Sequence, residues 1–147
     1  MNKLNKGQVF TDVVLEVFKL GGLLINEGDQ ITKEFGITSA RWKVLGAVAL
    51  ANAPQTVSQI ARTMGLTRQA VQRLVDIMSQ EGLLKLLPNP EHKKAKLVSL
   101  TKKGNDIYFK LDKKQIKWAQ NNAQNLSKKD LEITLSVLKK ISQQFES

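Results

Sequence analysis

Two short amphipathic helices joined by a glycine turn are the feature that most restricts how this chain can fold. The first helix opens with Thr56 and Gln59, a capping-box pair in which each side chain accepts from the other's backbone N–H. It is predicted to end at Gly65, because glycine readily adopts the left-handed conformation that follows a helix. The second helix, predicted over residues 67–81, is capped by Thr67 and has one apolar face, with apolar residues at i, i+3, i+4 and i+7: Val71, Leu74, Val75 and Met78. The pair predicts a helix-turn-helix motif.

The helical period ends at Gly82, and a β-hairpin is predicted to follow. Residues 83–87 and 95–100 are short apolar runs, and the polar segment between them contains two prolines. The connecting segment, 88–96, is a basic loop whose charged or titratable residues include His92, Lys93, Lys94 and Lys96. A hairpin in this position is typical of the wing of a winged helix.

The rest of the chain is predicted to be helical. An apolar stripe with steps of three and four runs from Phe10 to Leu24, and another helix begins after Thr38 or Ser39. Two further helices are predicted from Thr101 to about residue 122 and from Ser127 onward, the last with Leu131, Leu135, Leu138 and Phe145 along one side. The predicted fold class is therefore mainly α with a small β-hairpin. The length of 147 residues is that of a single domain.

Charge and composition restrict the function. Lysine and arginine number 23 against 13 acidic residues, a formal net charge of +10, which suggests nucleic acid or an anionic surface as partner. Residues 51–105 hold nine basic and three acidic side chains, a net +6, and this concentration on one helix and one hairpin favours DNA. With no cysteine and one histidine, neither a thiolate nor a histidine-based metal cluster is expected. We predict no catalytic residues, metal or cofactor.

No membrane or export segment is expected. The most apolar N-terminal stretch, residues 13–25, is interrupted by Glu16 and Lys19, so it forms neither a secretory core nor a membrane span. We therefore expect a cytoplasmic protein without a membrane partner.

The second helix of the pair is predicted to present its polar face to the major groove. Side chains expected to contact bases are Gln69, Gln72 and Arg73, since glutamine pairs bidentately with adenine and arginine with guanine. Phosphate contacts are assigned to residues at the helix starts, which are Ser58, Thr67 and Arg68. The wing cations would add a second contact to DNA. Taken singly, each feature also fits an ordinary surface helix or a solvated loop.

The chain resembles the MarR family of bacterial winged-helix regulators, most strongly over residues 57–104. The resemblance lies in the strand-to-helix exit Leu97–Thr101 followed by Gly104, and in Pro90 and Glu91 before the wing tip. It implies a winged-helix lobe over residues 38–104, flanked by dimerisation regions over residues 8–34 and 105–147. It also implies a homodimer that binds a pseudo-palindromic operator in the bacterial nucleoid and is released by a small aromatic or anionic ligand.

The resemblance leaves two points open. The aromatic residues Phe18, Phe35 and Trp42 are candidates for the ligand pocket, and the alternative is that they belong to the core. The family has Asp-Arg-Arg at the wing tip, where this chain has His92, Lys93 and Lys94. Because lysine lacks the planar fork of arginine, phosphate contact is expected there rather than insertion into the minor groove. The expected function is a homodimeric repressor, and the alternative is an architectural, weakly specific DNA-binding protein without an effector.

Overall fold

The computed structural model describes residues 5–146, and over this range it consists of helices and one two-stranded sheet. In chain order the elements are α1 (Lys6–Thr32), a 3-10 turn (Lys33–Phe35), α2 (Ser39–Ala49), α3 (Val57–Met64), α4 (Arg68–Gln80), β1 (Leu84–Leu87), β2 (Leu97–Leu100), α5 (Lys102–Ala123) and α6 (Lys128–Phe145). The predicted fold class, mainly α with a β-hairpin, is confirmed.

The helix starts lie where their capping residues predicted them. The Thr56 hydroxyl accepts from the Gln59 N–H at 3.3 Å, and the Gln59 side chain accepts from the Thr56 N–H at 2.9 Å, which completes the capping box of α3. Thr67 accepts from the N–H of Ala70 at 3.2 Å at the start of α4, and α6 is capped in the same way by Ser127. Each cap satisfies a backbone donor that the helix itself leaves unpaired.

The hairpin is shorter than predicted. β1 and β2 pair antiparallel, with Leu84 opposite Leu100 and Leu87 opposite Leu97. The second strand therefore begins at Leu97 and not at residue 95. The reason is that the N–H and the carbonyl of Ala95 both bond to side chains of the loop instead of to β1.

The hydrophobic core lies among α2, α3, α4 and the hairpin. The apolar face of α4 is buried as predicted at Val71, Val75 and Met78, which are each fully buried, while Leu74 is half-buried against the same core. Leu45, Ile60 and Val98 complete the interior from the neighbouring elements. Burial of this face orients α4, so that its polar face points outward.

Gly104 allows the first turn of α5 to pack directly against the start of the hairpin. A Cβ built at residue 104 would overlap the backbone carbonyl oxygen of Leu83. Around this contact, the Gly104 N–H donates to the Thr101 hydroxyl at 3.0 Å, and the Thr101 N–H donates to the Leu83 carbonyl at 3.1 Å. A residue with a side chain at position 104 would force these two segments apart.

The chain forms two compact units, one ending at Leu111 and the other beginning at Asp112, and α5 runs through the boundary. In the first unit, the apolar stripe of α1 is exposed, from 36% at Val13 to 50% at Leu20. In the second unit α6 buries no residue, and its apolar side chains include Leu135 and Phe145, 53% and 75% exposed. No helix within residues 5–146 is long and apolar enough to cross a membrane.

Candidate nucleic-acid interface

The turn between α3 and α4 sets the geometry of the helix pair. Gly65 adopts the left-handed conformation, with φ of 67°, as predicted for the residue after α3. The N–H of Leu66 then donates to the carbonyl of Ala61 at 3.0 Å, which closes the end of the helix. Ala61 is buried, and its small side chain lets α4 pack close to α3.

The C-terminal end of α4 is fixed by charged residues from two other helices. Arg41 of α2 forms an ion pair with Glu81, at 3.3 Å between Nε and Oε1. Lys103 of α5 donates to the backbone carbonyl of Glu81 at 3.0 Å, where the carbonyls of a helix end need donors. These contacts hold the helix at the end opposite to the one assigned to DNA.

The outward face of α4 carries the residues predicted to contact bases. Gln69 and Arg73 are exposed on the helix surface. Gln72 is half-buried, and its side-chain Nε2 donates to the Oδ1 of Asp76 at 2.9 Å. This pairing was not predicted, although an amide and a carboxylate four residues apart face each other on a helix. The bond engages one of the two Nε2 protons and fixes the orientation of the amide, so binding a base in a different orientation requires Gln72 to release Asp76.

The hydroxyl of Thr67, predicted to contact phosphate, is already used as the acceptor of the α4 cap. Its O–H remains a potential donor, since an acceptor hydroxyl keeps its own proton. Arg68, the next residue, is exposed at the first turn of α4. The N-terminus of a helix and an arginine together favour an anion at this position.

The wing loop is held by side chains. Asn89 donates from Nδ2 to the carbonyl of Ala95 at 2.9 Å and accepts at Oδ1 from the N–H of Glu91 at 3.0 Å. His92 accepts at Nδ1 from the N–H of Ala95 at 3.3 Å. His92, Lys93, Lys94 and Lys96 are all exposed. The role of Asn89 was not predicted, although Asn followed by Pro is a recognised signal for a turn closed by the asparagine side chain.

A small cleft of about 130 Å³ joins the helix pair to the wing, and we call it the basic cleft. The start of α3, the outward side of α4 and the second arm of the wing loop line it, and the lining residues with polar groups include Ser58, Arg68, Gln72, Lys94 and Lys96. The nine residues that line it include three cations and no carboxylate. The basic cleft therefore offers an anion a concentrated positive field and several hydrogen-bond donors.

The structure separates the predicted contact residues into two groups. Five of them line the basic cleft, two from the phosphate set, one from the base set and two from the wing. The remaining five do not line it: Thr67, Gln69, Arg73, His92 and Lys93. The cleft also includes Leu86, a 39% exposed leucine of β1. The spacing of these residues along the chain does not indicate that their segments meet.

The three aromatic candidates for a ligand pocket lie in different environments. Phe35 and Trp42 pack against the hydrophobic core, whereas Phe18 of α1 is 73% exposed. A larger groove of about 680 Å³ lies between α2 and α3, and its lining includes Lys43, Leu50 and Met64 but none of the three aromatic residues. Among residues 5–146, no group of three or more His, Cys, Asp or Glu side chains is placed to hold a metal ion.

Comparison with known sequences places the similarity in the same region. Residues 35–95 match the family model described as MarR family. An uncharacterized protein of Mycobacterium tuberculosis is 39% identical over 95 residues, which are 65% of this chain and 65% of that protein, just under two thirds of its length. The transcriptional activatory protein BadR of Rhodopseudomonas palustris is 25% identical over 115 residues, 76% of this chain and 65% of BadR.

Solved structures share the fold across almost the whole chain. The transcriptional regulator BldR from Sulfolobus solfataricus superposes with a TM-score of 0.84 at 17% identity, covering 96% of this chain and 99% of BldR. CouR from Rhodococcus jostii, solved with bound p-coumaroyl-CoA, superposes with a TM-score of 0.79 at 18% identity, covering 89% and 92%.

Proposed function

We propose that the chain is a MarR-family, sequence-specific DNA-binding transcriptional regulator and not an enzyme, on the premise that its winged-helix segment, residues 35–95, matches the MarR family model. The observation that carries the proposal is the basic cleft, where the helix-turn-helix and the wing meet next to the exposed polar face of α4. An ordinary surface helix with a solvated loop would not bring three cations from two separate segments to one concave site.

In the proposed complex α4 lies in the major groove. Gln69 and Arg73 bind base edges directly, and Gln72 joins them after it leaves Asp76. Ser58, Thr67 and Arg68 bind phosphates, which set the position of α4 along the duplex without reading sequence. The four wing residues, His92, Lys93, Lys94 and Lys96, contact the neighbouring backbone.

We propose that the regulator acts as a homodimer through α1 and α6. Most of the stripe from Phe10 to Leu24 and most of the apolar residues of α6 from Leu131 to Phe145 are exposed in the single chain. Exposed apolar side chains repeated along a helix in this way mark an interface, because they are costly to leave in water. A two-fold dimer would bind a pseudo-palindrome whose half-sites lie about one helical turn apart, roughly 10 bp.

We propose repression, because a dimer that covers both half-sites blocks access to a promoter that contains them. A small aromatic or anionic effector would relieve it, with Phe18, Phe35 and Trp42 as the candidate contacts. CouR, which shares the fold, was solved with an aromatic acyl-CoA ligand, and this supports an effector of that class. BadR is named as an activator, so a reporter assay must allow either sign.

Selection of binding sites from random DNA, followed by footprinting, tests the proposal. The expected product is one palindromic motif, and its half-site spacing gives the geometry of the dimer. Footprints on the selected site should be discrete. Uniform protection without an enriched motif would instead support the architectural, weakly specific DNA-binding protein. Salt dependence cannot separate the two, since both would release counterions from phosphates.

A further inference from the structure

The two arms of the wing loop are joined by side chains at a single residue, Ala95. Its carbonyl accepts from the Asn89 side chain at 2.9 Å, and its N–H donates to the His92 ring at 3.3 Å. The paired strands end at Leu87 and Leu97, so the backbone ladder does not reach Ala95. The carbonyl of this residue is thus held from the opposite arm of the loop and its N–H from the tip of the loop.

Ala95 is also part of the basic cleft. It lines the cleft together with its neighbours Lys94 and Lys96, which face Arg68 and Ser58 of the helix pair. The contacts that hold the backbone of Ala95 therefore also restrain the backbone of Lys94 and Lys96, which supply two of the three cations in the basic cleft. Asn89 is itself fixed, because its Oδ1 accepts from the N–H of Glu91.

We infer that Asn89 and His92 are positioning residues for phosphate recognition, an inference that rests on the proposed DNA-binding function. Asn89 needs no contact with DNA, and His92 acts through the loop in addition to its proposed contact with the DNA backbone. Their side chains close the wing loop on Ala95 and so keep Lys94 and Lys96 at the basic cleft. His92 contributes its Nδ1, which accepts from the Ala95 N–H.

Replacing Asn89 or His92 with alanine leaves the charges of the wing lysines in place and should still change the salt dependence of DNA binding. In Asn89→Ala the loop opens, and the two lysines keep their charge but are no longer held at the basic cleft, so that one phosphate contact is not made in the complex. Loss of one phosphate contact makes the negative slope of log K against log salt less steep by about 0.9. The accompanying loss of affinity is about 3- to 10-fold, the factor that corresponds to a typical hydrogen bond.

The experiment uses the full chain and a fluorescently labelled duplex of random sequence, titrated by anisotropy at several KCl concentrations. Asn89→Ala and His92→Ala should both lose affinity and salt slope, as Lys94→Ala does. His92→Asn should retain both, because the asparagine Oδ1 can accept from the N–H three residues on. The matched control is Asn122→Ala, which removes a similar side-chain bond, to the Trp118 carbonyl on α5, at a residue that does not line the basic cleft. It should leave affinity and salt slope unchanged.

A double-mutant cycle separates positioning from a direct contact. If Asn89 acts through Lys94, Asn89→Ala should cost less affinity in a Lys94→Ala background than in the wild type. Hydrogen exchange of the Ala95 amide in the free protein should be faster in Asn89→Ala and His92→Ala, with the melting temperature unchanged. This second measurement does not depend on DNA and excludes unfolding as the cause.

The possible results separate this inference from the proposed function. The inference is overturned if the wild type binds DNA and both Asn89→Ala and His92→Ala bind with the same affinity and salt slope. The proposed function would then still stand. Additive effects of Asn89→Ala and Lys94→Ala also overturn it. Absence of wild-type binding to any duplex overturns both.

Discussion

Replacing Gly104 with alanine should destabilise the fold by about 2 kcal/mol, because the added Cβ would overlap the Leu83 carbonyl oxygen. Forcing an extra carbon into a packed contact of this kind costs about 1–3 kcal/mol. The shift that relieves the overlap also weakens the bond from the Thr101 N–H to the Leu83 carbonyl, worth about 1 kcal/mol. The better helix propensity of alanine returns about 0.5–1 kcal/mol.

Gly46→Ala is the matched control for this prediction. Gly46 also lies inside a helix, but a Cβ there would meet the Tyr108 ring at an ordinary 3.7 Å. It should therefore raise the free energy of unfolding by about 0.5–1 kcal/mol, the propensity gain alone. The two substitutions are chemically identical and have opposite expected signs.

The assay is urea unfolding of the full chain followed by far-ultraviolet circular dichroism. All variants are compared at one protein concentration, because dimerisation would make the apparent stability concentration-dependent. The reasoning is refuted if Gly104→Ala is as stable as the wild type, or if Gly46→Ala is destabilised to the same degree. In either case the close approach of α5 to the hairpin is not the reason that position 104 requires glycine.

Three further outcomes are expected. Arg73→Ala should relax base preference at one position of each half-site by about 1–3 kcal/mol, measured by competition with single-base variants of the selected site; an equal loss for all sequences would contradict the base contact. Asp76→Ala should bind DNA about 1.5- to 2-fold more tightly than Asp76→Asn in gel-shift titration, because only alanine removes the acceptor of Gln72, and equal affinities would show that this pair does not restrain Gln72. Leu20→Glu on the exposed stripe of α1 should shift the protein from dimer to monomer in sedimentation, and an unchanged mass would exclude this stripe from the interface.

Much of the winged-helix lobe follows from patterns within a few residues. The capping box of α3 and the left-handed Gly65 depend on hydrogen bonds spanning three to five residues, so the local sequence is enough to place them. The apolar face of α4 follows in the same way from the helical period. Such features are local in the chain, and each can be predicted without knowledge of the rest of the fold.

Two details of the candidate interface departed from the prediction although they too are local. The second strand begins at Leu97, because Asn89 and His92 capture the backbone of Ala95. Gln72 is paired with Asp76, a bond that was not predicted. In both cases side chains compete with other partners for the same hydrogen bonds, and apolar periodicity contains no information about which partner wins.

The sequence by itself determined the class of the fold, the position of the helix pair and the sign of its charge, because caps, period and composition are properties of short segments. Only the tertiary structure decided that Ser58, Arg68, Lys94 and Lys96 line one cleft. They come from separate segments, and packing of α3 and α4 on a shared core, together with the closed wing loop, brings them together. The fold thereby concentrates part of the positive charge at one position, the basic cleft. This matters because anion binding depends on where the cations are held and not on their number alone.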